Sequence, residues 1–117
     1  LSFFGAHQTT PLGTCVSNNT AGATTLAVDL TIAAGQIGID VLGKRATQIP
    51  AAGAGQTGRD TECSAGTVPV CVGLSTSTTV GTESMDWSWL SSQVAHINAV
   101  AVQAAPSAMR GQPIFLD

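Results

Sequence analysis

The sequence predicts an all-β protein built as an antiparallel sandwich, and three observations predict it. Short segments in which apolar and polar residues alternate recur along the chain, and Gly, Pro, Asn or Ser bounds each of them. Threonine and serine, which suit half-exposed strands, are frequent within and around these segments. With 117 residues the chain has the length of one domain, so we expect a single core.

The clearest alternation lies in residues 26–32 and 37–41, which a turn at residues 33–35 separates. We therefore predict an antiparallel hairpin, with Asp29 and Asp40 on its polar face. The apolar residues of the hairpin are assigned to the core. They are Leu26, Val28, Leu30, Ile32, Ile37, Ile39 and Val41.

Three later segments also read as strands. In residues 68–74 Pro69 lies opposite the apolar face, and because proline lacks an N–H we expect a sheet edge or an irregularity there. Residues 84–89 alternate apolar and polar residues, and residues 94–103 are apolar on both sides, as in a strand buried on both faces. The core residues predicted from these segments are Val68, Val70, Val72, Met85, Trp87 and Trp89.

The three cysteines, Cys15, Cys63 and Cys71, include a candidate disulfide. A turn-like link separates Cys63 from Cys71, so a bridge is feasible if their Cα atoms lie within about 7 Å. The alternative is three free, packed thiols. A bridge would place the chain in an oxidising environment outside the cytoplasm, and it would leave Cys15 either buried or bonded to another chain.

Charge and hydropathy exclude several function classes. Four Lys and Arg against seven Asp and Glu give a net charge of −3, so no basic surface for a nucleic acid is expected. No apolar run reaches the roughly 18 to 20 residues that span a bilayer, and we expect no membrane insertion. Charged residues make up only 9% of the chain, so few ions would be desolvated in a protein contact.

No catalytic, metal or cofactor site emerges from the residue pattern. His7 and His96 have no patterned nucleophile or ligand partner, and no C-x-x-C pair supplies zinc spacing. Asp60 and Glu62 offer too few oxygens for calcium. The sequence therefore predicts a protein that is not an enzyme and that carries no metal or cofactor.

Two loop-like stretches and the C-terminal tail are candidate contact regions. Residues 7–23 and 46–58 are predicted loops, and loops on a rigid scaffold often bind ligands. We expect a sandwich domain over residues 1–105 and an extension over residues 106–117, which Pro106 introduces. Apolar residues at the end of the extension would fold back or dock on a neighbouring subunit. They are Ile114, Phe115 and Leu116.

A resemblance adds to this interpretation. Residues 3–14, F-F-G-A-H-Q-T-T-P-L-G-T, resemble a segment of an uncharacterised class of secreted or virion-associated β-sandwich domains of bacteria and phages. The segments G-A-G-Q-T at residues 53–57 and S-M-D-W-S-W at residues 84–89 extend the likeness. The resemblance implies a jelly-roll-like or lectin-like sandwich and no activity. Members usually have more strands upstream, so we expect strands from another segment or chain to complete this sandwich.

Together these inferences predict a non-catalytic structural or assembly module of an extracellular, cell-surface or virion assembly. It would serve as a capsid or tail decoration or as a subunit of a surface filament or adhesin. The expected partners are other copies of the chain or other assembly subunits. The alternative is a carbohydrate-binding module that binds a glycan through loops 7–23 and 46–58. Trp87 and Trp89 share a face that would suit stacking on a sugar, but Met85 lies on the same face and all three alternate with polar residues, which favours the core.

Overall fold

The chain folds into antiparallel β-strands, and the computed structural model describes residues 3–105 and 115–116. These residues include no helix that is long and apolar enough to cross a membrane. The predicted all-β antiparallel fold is confirmed, whereas its jelly-roll-like sandwich arrangement stays a prediction. The strands are β1 (Phe3–Phe4), β2 (Val16–Ile32), β3 (Ile37–Arg45), β4 (Ala51–Ala52), β5 (Thr57–Ser64), β6 (Val70–Ser77), β7 (Gly81–Val102) and β8 (Phe115–Leu116).

Within the described residues, six strands form one sheet. Its order is β2-β7-β3-β6-β5, and β4 pairs with the N-terminal half of β7. Every ladder in this sheet is antiparallel. The strand β7 is therefore central, because it pairs with β2 along most of its length and with both β3 and β4 on its other side.

The long strands β2 and β7 each contribute to two parts of the sheet. Residues 25–32 of β2 pair with residues 81–88 of β7, whereas residues 16–20 pair with residues 95–99. The register shifts twice between Thr20 and Thr25, and such irregularities bend a strand pair. The bend lets the two parts of the sheet face each other.

Two glycines show how closely these parts pack. A Cβ atom built on Gly73 of β6 would lie 2.7 Å from Cη2 of Trp87 in β7. A Cβ atom on Gly38 of β3 would lie 2.9 Å from Cδ2 of Leu30 in β2. Any larger residue at these positions would push the two parts of the sheet apart.

The core lies between the two facing parts of the sheet. Its buried apolar side chains supply the main stabilising contribution, about 1.5–3 kcal/mol for each large side chain. From the residues that the sequence assigned to the core, the structure buries Leu26, Val28, Leu30, Ile32, Ile37, Met85, Trp87 and Trp89. It also buries Leu42, Ala95, Ile97 and Ala99.

The expected hairpin of residues 26–32 and 37–41 is wrong. The strand β2 pairs with β7, and β3 pairs with β6 and β7. The turn between β2 and β3, in which Gln36 N donates to Ala33 O at 3.0 Å, carries the chain from one part of the sheet to the other. Alternation identified the buried face of β2, but it contained no information about which strand lies beside it.

In β3 and β6 the side of the strand that faces the core is also opposite to the predicted side. Polar residues of these strands, Asp40 and Ser75, are buried instead. Since side chains alternate across a strand, an inward Asp40 turns its apolar neighbours outward. The misassigned residues are Ile39, which is half-buried, and Val41, Val68, Val70 and Val72, which are 40% to 57% exposed.

Several predicted boundaries differ as well. Residues 16–23 of the first predicted loop belong to β2, and the second predicted loop contains β4 and the start of β5. Residues 90–93, between the predicted strands 84–89 and 94–103, lie within β7, so the two predicted strands belong to one strand. The sequence pattern had suggested two separate strands, but the backbone continues as one strand through the residues between them.

Cys63 and Cys71 form a disulfide between β5 and β6. They are directly opposite partners in the ladder, with their Cα atoms 4.1 Å apart. The Cys71 side of the bridge is fully buried, so the bridge ties the outermost strand β5 to the inner face of β6. Cys15 is exposed and unpaired.

Residues 115 and 116 pair with the N-terminal strand of the same chain. Phe115 pairs with Phe4 and Leu116 pairs with Phe3 in the β1–β8 ladder. Ile114, the third residue expected to contact another subunit, lies outside the described residues. The backbones of Phe115 and Leu116 are therefore paired within the chain.

We predict that Gly73→Ala lowers the free energy of unfolding by about 1–3 kcal/mol, because the added methyl group overlaps the Trp87 ring. The matched control is Gly43→Ala in β3, where a Cβ atom would meet nothing within 4 Å. This control should leave stability unchanged or raise it by up to about 1 kcal/mol. Urea unfolding measures both, and equal stability of the two variants would contradict the close packing of Gly73 on Trp87.

Candidate docking face

One side of the sheet formed by β5, β6, β3 and β7 points away from the core, and we call it the outer face. Directly opposite residues of neighbouring strands share a side of the sheet, which defines its members. They are Val94, His96, Asn98 and Val100 of β7, Ile39, Val41, Gly43 and Arg45 of β3, Val70, Val72, Leu74 and Thr76 of β6, and Asp60 and Glu62 of β5.

The outer face is apolar although it is open to water. Val41 and Val94 are each 50% exposed, Val72 is 47% exposed and Val70 is 40% exposed. Leu74 lies between them and is half-buried. A contiguous exposed apolar surface of this kind marks a contact site more often than an isolated exposed residue does.

A shallow groove of about 670 Å³ crosses the outer face at Gly43. It exists because Gly43 has no side chain and nothing lies within 4 Å of the Cβ position. Val72 and Val94 line the groove, and its polar residues include Arg45, His96 and Asn19 of β2. A second depression of about 240 Å³ adjoins Val72, with acidic residues of β5 along its edge.

The ionisable side chains of the outer face are divided between its strands. Arg45 and His96 belong to β3 and β7, whereas Asp60 and Glu62 belong to β5. Because neighbouring strands are about 4.8 Å apart, three strand spacings place His96 and Glu62 about 14 Å from each other. That separation is too large for an ion pair within one chain.

Behind the outer face, the carboxylate of Asp40 is the centre of a buried hydrogen-bond network. Its Oδ1 atom accepts hydrogen bonds from Ser75 N at 3.0 Å and Ser75 Oγ at 2.6 Å. Its Oδ2 atom accepts from Trp87 Nε1 at 2.8 Å and Gln56 Nε2 at 3.1 Å. Burial raises the pKa of Asp40, and the hydrogen bonds from Ser75, Trp87 and Gln56 oppose that shift.

This hydrogen-bond network has a structural role. Asp40 is 1% exposed and Ser75 is 0% exposed, so neither side chain opens to a substrate. Ser75 Oγ also accepts from Gln56 Nε2 at 2.6 Å, and Gln56 Oε1 accepts from Asp86 N at 2.7 Å. The network therefore joins β3, β6, β7 and the turn before β5 without leaving a free nucleophile.

Lys44 is the other buried charged residue of this region. Its Nζ atom donates to the carbonyl oxygens of Arg45 at 3.0 Å and Ala46 at 3.2 Å, and Ala46 has a positive φ of 64°. The same atom lies 5.9 Å from the ring centroid of Trp89, within range of a cation–π interaction. Burial lowers the pKa of Lys44. Its amine supports the end of β3 and the Trp89 ring.

The tryptophans do not form a platform for sugars. Trp87 is 1% exposed and Trp89 is 7% exposed, and Trp89 Nε1 donates to Ala23 O at 2.8 Å inside the protein. The stretches 7–23 and 46–58 contain no Phe, Tyr or Trp. In the first stretch, His7 Nδ1 accepts hydrogen bonds from the backbone of the following threonines and so caps the loop.

Neither metal ligands nor known relatives identify a function. Across residues 3–105 and 115–116, no group of three or more His, Cys, Asp or Glu side chains could hold a metal ion. No protein-family model, curated protein or solved structure matches the chain. The resemblance of residues 3–14 to bacterial and phage β-sandwich domains therefore stays a prediction.

Sequence reasoning missed the outer face because it assigned the same valines to the core. A signal was present in the sequence. Asp40 interrupts the apolar segment at residues 37–42, and the serine and threonine run at residues 75–79 continues the strand of Val70 and Val72. These polar residues within two strands could have indicated that the core-facing side of both strands is polar and that its side chains hydrogen-bond to each other.

We predict that acrylamide quenches the fluorescence of the native chain weakly, because both tryptophans are buried. Addition of urea to the point of unfolding should increase the quenching constant strongly. Efficient quenching of the native chain would mean that an indole is open to solvent. In that case the carbohydrate-binding alternative would regain its platform.

We also predict that Ser75→Ala lowers the free energy of unfolding by about 1.5–3 kcal/mol, because it removes a hydrogen bond to a buried carboxylate. The matched control is Ser88→Ala, an exposed serine of β7, which should change stability by less than about 0.5 kcal/mol. Urea unfolding measures both variants. Equal effects would show that the Asp40 network contributes nothing specific to stability.

The effect of Ser75→Ala should depend on pH. Since the pKa of Asp40 is raised above 3.8 in the folded chain, its contribution to stability is fully present below pH 3.8 and is lost as the pH rises through the raised pKa. Ser75→Ala removes a hydrogen bond that opposes this rise in the pKa of Asp40. More stability is therefore lost as the pH rises. The destabilisation should therefore be larger at neutral pH than below pH 3.8, and a pH-independent effect would contradict it.

Proposed function

We propose that the chain is a non-catalytic structural module that assembles with other copies of itself in an extracellular, cell-surface or virion assembly. The observation that carries this proposal is an exposed apolar sheet face beside a filled interior. Val41, Val72 and Val94 are about half exposed to water. Contact with another protein would remove this apolar surface from water at a gain of about 25 cal/mol per Å².

The low charge of the chain supports the same proposal. Only 9% of its residues are charged, so a contact would desolvate few ions. The cores of protein interfaces are depleted of charged residues in the same way. The outer face follows this pattern, because its centre is formed by valines and its charged residues lie toward the sides.

The disulfide supports the proposed location. A bridge between Cys63 and Cys71 persists in an oxidising environment such as the cell exterior or a virion surface. A capsid or tail decoration, a surface filament subunit and an adhesin subunit all work there by contact between subunits. Each of these roles needs a stable scaffold and a docking surface, and none needs a catalytic centre.

We expect the full-length chain to self-associate in solution. Size-exclusion chromatography with multi-angle light scattering should give a mass above that of one chain, and the mass should rise between micromolar and millimolar concentration. Cys15→Ser is the control, because it removes covalent dimers through the exposed thiol. A folded chain that keeps its single-chain mass at millimolar concentration would contradict the proposed function.

A further inference from the structure

The side chains of the outer face form rows that run across the strands. Directly opposite residues in the β7–β3, β3–β6 and β6–β5 ladders define each row. The first row contains His96, Gly43, Val72 and Glu62 in this order. The second row contains Asn98, Val41, Leu74 and Asp60. Both rows cross the strands in the order β7, β3, β6 and β5, so a single symmetry operation reverses both rows.

The first row is complementary to a second copy of itself that faces it with the residue order reversed. At its centre the empty position of Gly43 lies beside the projecting side chain of Val72. On either side of this pair lie the imidazole of His96 in β7 and the carboxylate of Glu62 in β5, and Asn19 of β2 extends the row beyond His96. If the row is reversed and placed face to face with itself, Val72 meets Gly43 and His96 meets Glu62.

The second row responds to the same reversal. Val41 meets Leu74, so an exposed valine contacts a partly exposed leucine. Asn98 meets Asp60, so an amide donor contacts a carboxylate. In these two rows a single reversal therefore matches a side chain with a gap, apolar groups with apolar groups, and donors with acceptors.

A two-fold axis parallel to the strands produces this reversal. We propose that the outer face binds the outer face of a second copy about an axis between β3 and β6, with Val72 of each copy seated in the groove at Gly43 of the other. This inference rests on the proposed function and specifies its contact. His96 of each copy pairs with Glu62 of the other copy, and this pair occurs twice in the symmetric contact.

The size of the outer face sets the strength of this contact. Four strands, each about 4.8 Å wide, and seven residues at about 3.3 Å give a projected area of roughly 400 Å². Stable interfaces bury about 800 Å² per partner, and side chains add accessible area to the projected value. We therefore expect a contact at the weak end of specific interfaces, with a dimer that depends on concentration.

The first test uses Val72→Glu, which places a charge opposite the partner's groove. Val72 is 47% exposed, so the single chain should fold normally, and circular dichroism checks that it does. The matched control is Val80→Glu, at a valine that is 63% exposed and lies outside the outer face. In light scattering, Val72→Glu should stay a monomer where the wild type and Val80→Glu associate.

The second test alters both residues of one intersubunit pair. His96→Glu should weaken association at least about tenfold, because it places two pairs of carboxylates across the contact, and Glu62→Lys should weaken it because it removes the carboxylate that accepts from His96 in both pairs. The double variant His96→Glu with Glu62→Lys should restore association. Since the two positions are about 14 Å apart within one chain, restoration can arise only between copies.

The outcomes separate this inference from the proposed function. If the wild type associates and Val72→Glu associates equally, the copies meet on another surface, and the inference is overturned while the proposed function stands. If both single charge variants weaken association but the double variant does not restore it, the two-fold register is overturned. If the wild type never associates, the proposed function itself fails.

Discussion

The burial of the Asp40 carboxylate decides how β3 and β6 are oriented. A buried carboxylate without donors costs several kcal/mol, so it is stable only where hydrogen-bond donors converge on it. Ser75 of β6, Trp87 of β7 and Gln56 before β5 supply those donors. Because successive side chains of a strand point to opposite sides, inward positions for Asp40 and Ser75 require that Val41 faces outward.

The docking face is a consequence of that polar interior. With Asp40 and Ser75 inside, the inner positions of β3 and β6 cannot all be apolar, and the valines of these strands occupy the opposite side. The facing part of the sheet supplies the apolar half of the core through Met85 and Trp87. The protein thus keeps a stable interior while leaving an apolar surface for contact with other copies.

Prediction from the sequence succeeded where burial follows from one strand alone. In β2, the alternation from Leu26 to Ile32 has large apolar residues only on the buried side, and the pattern of Met85 and Trp87 in β7 is equally clear. In β6, Val70 and Val72 alternate with residues that are small or polar, and alternation by itself cannot say which side is inside. The error there carried over to the candidate site, because the same valines form the outer face.

By itself the sequence determined the β class, the single-domain length and the low charge, and it placed Cys63 and Cys71 within reach of each other. These properties depend on composition and on residues close together in the chain. Only the tertiary structure decided that β2 pairs with β7, and that Val72 and Gly43 lie side by side on an exposed surface. Strand partners and buried polar networks join residues far apart in the chain, and the free energy of such contacts depends on the whole packed sheet rather than on any local pattern.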